Sequence, residues 1–155
     1  MAAADDQIAM FYYFDAVRAA IWGHDLAQAR EVARRMDEHP ETGVAAAADR
    51  SGAHAAVAAL EGRHEEASAG FRAAMAAHRS LGSDLWTART ALNFVAAMEV
   101  DDLAIREAAA EARPIFERVR ARAYLEHLDA ALARLAGAGS STDVAATTAV
   151  SATRG

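Results

Sequence analysis

The chain has no cysteine, no lysine, two prolines and few aromatic residues. Without cysteine there is no disulfide, no thiolate nucleophile and no zinc–cysteine centre, and the chain suits a reducing compartment such as the cytoplasm. The two prolines, Pro40 and Pro114, leave long stretches with nothing to interrupt a helix. Aromatics make up 6% and much of the 54% hydrophobic fraction is alanine, so the core must come from close helix contacts rather than bulky side chains. No charge-free apolar run approaches the roughly 20 residues of a membrane span, and "MAAADDQ" lacks the basic region of a secretory signal. The net charge is −6 and the sixteen basic residues, all arginine, are scattered, which excludes the clustered basic face that nucleic acid requires. Arg118, Arg120 and Arg122 are the one local cluster, and a helix C-terminus accounts for them.

What remains is 155 residues of strong helix formers, a length that suits one domain and an all-α fold. The sequence "LEGRHEEASAGFRAAM" (60–75) sets a register of Gly62, Ala67, Phe71 and Ala74. Thirty-eight residues earlier stand His24, Ala29, Ala33 and Met36; thirty-eight later stand Val100, Ile105, Ala109 and Ala112. Ala19, Val57 and Val95 coincide in the same register, as do Trp22, Leu60 and Met98. The unit is small or apolar in character and reads as helix, tight turn, helix.

Seven helices follow from capping and periodicity: Asp5 to Trp22, Leu26 to Glu38, Val44 to Glu61, Glu65 to Leu81, Leu85 to Glu99, Asp102 to Val119, and Ala123 to Leu135. Asp25 suits an N-cap, Gly82 a left-handed helix end, and Ser83 or Asp84 the next cap. Ala67, Phe71, Ala74, His78 and Leu81 share one face of the fourth helix. Pro114 predicts a kink or a break in the sixth. Gly52 and Gly70 lie inside helices, where close helix approach is the explanation. The domain therefore covers residues 1–136, and the small-residue segment 137–155 reads as a disordered tail.

A search for chemistry yields no catalytic, cofactor-binding or metal-binding residue, and the chain reads as a non-enzyme. None of the six histidines lies three or four residues from another, so no helical metal pair exists. The paired carboxylates Asp5–Asp6, Glu65–Glu66 and Asp101–Asp102 fall at helix starts, where they favour the positive dipole end rather than acid–base work. There is no glycine-rich phosphate loop. "FYYF" (11–14) spreads aromatic rings around most of a helix, so they cannot all face one core: the rest pack on a neighbouring helix of the array or stay exposed as an interface. Tyr12, Tyr13 and, more weakly, Trp86 are the candidate partner-binding surface.

The spacing Gly62, Ala67, Phe71, Ala74 resembles the tetratricopeptide repeat, well in the middle unit and more loosely in the flanking two. The resemblance implies antiparallel helix pairs stacked as a short right-handed solenoid, with the first helix of each pair lining a concave face that binds a protein. The stretch from about Ala53 to Leu132 also resembles the C-terminal helical arrays of ATPase-containing adenylate/guanylate cyclases and LuxR-type regulators of actinobacteria. A lysine-free, alanine-rich composition fits such a GC-rich genome. In that family a glycine usually stands near Arg120, where a helix ends. The resemblance implies a non-catalytic scaffold for signalling or regulation whose partner is another protein, an upstream domain, or a second copy forming a homodimer. Its alternative is a regulatory C-terminal fragment whose catalytic or DNA-binding domains lie outside this chain.

Overall fold

The computed structural model describes residues 2–152, with side chains over 12–138. Within those residues there are seven helices and no strand: α1 (Ala2–Trp22), α2 (Leu26–Glu38), α3 (Val44–Leu60), α4 (His64–Ser80), α5 (Asp84–Ala97), α6 (Leu103–Arg118) and α7 (Arg122–Ala152). The tail expected over 137–155 falls almost wholly outside the described side chains, as does Phe11.

Helix ends follow local chemistry. The Asp25 carboxylate accepts from the Gln28 amide at 2.9 Å, and Asp102 does the same for Ile105 at 3.0 Å, each satisfying a first-turn donor that the helix cannot. Ser83 holds the cap position of α5 without a side-chain cap bond. Gly62 and Gly82 take positive φ, +77° and +66°, as tight turns after α3 and α4 demand. His24 and Arg120 adopt the same left-handed conformation at φ 50° and 56°. In the 38-residue register His24 is the counterpart of Gly62, so two of the three turns share one backbone shape despite different residues. Arg120 stands where the family resemblance expects a glycine, and the Ala121 amide closes that turn by donating to the Phe116 carbonyl at 2.9 Å.

The second-helix register is met throughout. Ala29, Ala33, Met36, Ala67, Phe71, Ala74, Ile105, Ala109 and Ala112 are all buried. The first-helix half holds less well: Val57, Val95 and Met98 are buried, whereas Ala19 and Trp22 are exposed. Leu81 and Val119 are also exposed, because α4 and α6 end just before them. Pro114 does not break α6, which runs unbroken through it. The carbonyl of Ala110, which loses its donor, belongs to an exposed residue.

Each helix packs on the next in sequence, so the chain stacks as antiparallel pairs. One helix is unlike the rest. Every residue of α5 from Thr87 to Ala97 is buried, because α1, α3, α4, α6 and α7 all pack against it. Phe71 of α4 lies flat on Phe94 of α5, ring centres 5.2 Å apart, and neither ring is exposed. Phe71→Ala should lower the stability of the chain by about 3–5 kcal/mol in denaturant titration, the cost of truncating a packed phenylalanine.

α3 and α4 approach most closely where Gly70 faces Ala55. A methyl at Gly70 would lie 2.9 Å from the Ala55 Cβ, closer than carbon atoms tolerate. The Ser51 hydroxyl donates across the same gap to the Gly70 carbonyl at 3.2 Å. Gly52 differs: a methyl there would meet only Ala74 Cβ, at 4.0 Å, an ordinary contact. Gly70→Ala should therefore cost roughly 1–3 kcal/mol by overpacking. Gly52→Ala should be neutral or stabilise by up to about 1 kcal/mol through the helix preference of alanine. Paired thermal melts separate the two.

Candidate functional site

The first helices of the pairs, α1, α3, α5 and α7, face inward, where the repeat resemblance implies an open concave groove. The protein fills that groove with its own side chains. Phe14 of α1 meets Trp86 of α5 edge-on at 5.0 Å. The Arg89 guanidinium lies 4.5 Å from the Phe14 ring centre and 4.6 Å from that of Trp86. Its outer end donates to the Asp15 carboxylate at 2.6 Å. Asp15 also holds Arg18 one turn further along α1. The Arg18 guanidinium lies 5.2 Å from the ring of Tyr124 on α7 and 5.4 Å from Trp22. Trp22 in turn lies over His127 of α7 at 4.0 Å. Two arginines and five aromatic-ring residues thus close α1 against α5 and α7.

Arg89 is buried and its Nε has no protein hydrogen-bond partner. Burial, reinforced by the nearby Arg18 charge, pulls its pKa below the ordinary guanidinium value, opposed by Tyr124 and Asp15. A guanidinium stays charged under these conditions, so the aromatic faces and Asp15 must take the place of water around it.

Beneath this layer lies a sealed polar set that the sequence reading did not single out as a site. His78 of α4 and Asp49 of α3 approach at 3.2 Å, off the line of a hydrogen bond, with side chains 3% and 10% exposed. Thr90 and Asn93 of α5 are buried beside them. The one available signal was His78, which falls on the apolar face of α4 between Ala74 and Leu81. Among the described residues no group of three His, Asp or Glu side chains is placed to hold a metal. The His78 side chain is buried, and the Asp49 side chain keeps a small exposed part.

Of the three candidate surface residues, Tyr12 projects into solvent with 71% of its surface exposed. Tyr13 is half-buried and packs edge-on against His39 at 5.9 Å. Trp86 is half-buried between Phe14, Arg89 and His78. The three do not form one patch.

A true groove lies on the opposite face. α4 and α6 stand apart, and about 550 Å³ of space between them is floored by Phe94 and Met75. Its walls are alanines, including Ala69 and Ala73 of α4 and Ala104 and Ala108 of α6. Arg79 spans it with a two-pronged bond to Glu111, at 3.0 and 2.8 Å, which raises the Arg79 pKa. Compared with family models, curated proteins and solved structures, the chain finds no match.

Arg89→Lys should destabilise the fold by about 1–2 kcal/mol, because an ammonium keeps the charge but lacks the broad guanidinium surface that meets both rings. Chemical denaturation of the purified variant checks this, with tryptophan emission reporting the loss of the Trp86 contact.

Proposed function

We propose that the protein is a non-catalytic helical-repeat scaffold that binds a segment of another protein in the groove between α4 and α6. The observation that supports this is the groove itself. Its alanine walls let a helix or extended strand approach the backbone closely, above a floor closed by the buried Phe94 and Met75. The inner face is occupied by Phe14, Trp86 and Arg89, so the concave binding mode implied by the repeat resemblance gives way to the outer one. The charged rim, with Arg72 and Arg79 on one side and Glu107 and Glu111 on the other, would orient a partner segment carrying both signs of charge. The likeness to the helical arrays of bacterial regulators is what links such a scaffold to signalling. No described helix is long and apolar enough to cross a membrane.

Affinity capture from the native host with wild type, Ala73→Arg and Tyr12→Ala tests the reading. Ala73 is exposed in the groove wall, so an arginine there fills the space without entering the core. The expected result is a partner held by wild type and Tyr12→Ala and lost, by tenfold or more, with a folded Ala73→Arg; this is about 1.4 kcal/mol of binding. Equal recovery with Ala73→Arg would exclude the groove, and selective loss with Tyr12→Ala would move the site to α1.

A further inference from the structure

Within the filled inner face, residues of α1 to α5 line a cavity of about 10 Å³. Most of its lining is apolar, from Phe14, Val17 and Phe71, but Asp49, Thr90 and Asn93 also border it. Each of these three has an oxygen sealed from solvent with no protein hydrogen-bond partner: Asp49 Oδ1, Thr90 Oγ1 and Asn93 Oδ1. Thr90 and Asn93 are 2% and 3% exposed, so bulk water does not serve them. A buried polar atom without a partner costs about 1–3 kcal/mol, and three around one space would be a heavy burden on a small domain.

We propose that this cavity is a binding site for one water molecule, which joins Asp49 of α3 to Thr90 and Asn93 of α5. The size agrees, since a single water needs roughly 10–15 Å³ of such space. The hydrogen-bond inventory agrees too. A carboxylate oxygen and an amide oxygen only accept, whereas a hydroxyl can donate. Water has two protons to give and lone pairs to receive, so it donates to Asp49 and Asn93 and accepts from Thr90. A calcium or magnesium ion fits less well, because either requires six or more oxygen ligands and three side-chain oxygens border the cavity. Among the described residues no three His, Asp or Glu side chains gather to hold a metal ion. The bound water lets two helices that carry only acceptors and a hydroxyl toward each other pack without an orphaned group.

A crystal structure of the full chain at a resolution that orders internal water is the test, collected once from native buffer and once from thallium(I) salt. The expected result is one density peak about 2.7–3.2 Å from all three oxygens, with no anomalous signal from thallium. A thallium peak at the position would make it a cation site and overturn the proposal. So would no peak there, with Thr90 and Asn93 turned to other partners. Thr90→Val, which removes only the hydroxyl, should lower the denaturation midpoint and weaken or abolish the peak. An unchanged midpoint with an undiminished peak would remove Thr90 from the site. If that variant fails to fold, the wild-type density decides alone.

Discussion

α5 has no solvent face between Thr87 and Ala97, and the rest of the array is arranged around that constraint. A helix buried around its whole circumference must find a packing or polar partner in every direction. α4 and α6 supply two sides as sequence neighbours, and α3 and α7 supply two more as fellow first helices. The last side falls to α1, two helix pairs away in the chain. That contact requires the stack to curve tightly, which small side chains permit. Ala88, Ala91, Ala96 and Ala97 are all buried on α5, so its neighbours can approach its backbone. The near-contact of Gly70 with Ala55 is the same principle at its limit. Helices with little area per residue hold together by closeness, and closeness brings the first helix onto the third pair.

Closure has a chemical consequence. A repeat array that stayed open would leave the polar residues of its inner helices to water. Here Arg89, Thr90, Asn93, Asp49 and His78 end up inside, and each needs a substitute for solvent. Aromatic faces and one carboxylate serve Arg89. Asp49, Thr90 and Asn93 border a water-sized cavity, and His78 lies against Asp49. Outside, a space is left between α4 and α6.

Much of this frame was legible in the sequence, for a local reason. Asp25, Gly62 and Gly82 mark helix ends through capping and left-handed turns, which involve only a few neighbouring residues. The second helices α2, α4 and α6 are buried on one side and solvated on the other, so their apolar stripes appear as a period in the chain. Arg120 shows the limit of such signals: it takes a left-handed turn where the family resemblance expects a glycine. α5 shows a deeper limit. A helix buried on all sides has no polar face to contrast with its apolar one, so nothing in its periodicity distinguishes Arg89 or Asn93 from a surface residue. Their burial depends on α1 and α7, which are remote in sequence. The same remoteness hid the pairing of Trp86 with Phe14 of α1.

Arg89 also bears on why the closure takes one form rather than several. Buried charge pairs add little to stability on balance, because desolvation offsets most of their attraction. Arg89 lies in the second turn of α5, and the carboxylate that pairs with it, Asp15, belongs to α1. Its position is therefore not a gift of α5 itself. It is tolerable only when Phe14, Trp86 and Asp15 come together around it, and Phe14 and Asp15 are both on α1. A slide of α1 by one turn would take both away and leave a guanidinium in an apolar wall. The alanine surfaces allow many such slides, being nearly featureless. A charge that is satisfied in one register and stranded in the others removes that degeneracy, and so supplies the specificity that an alanine core lacks.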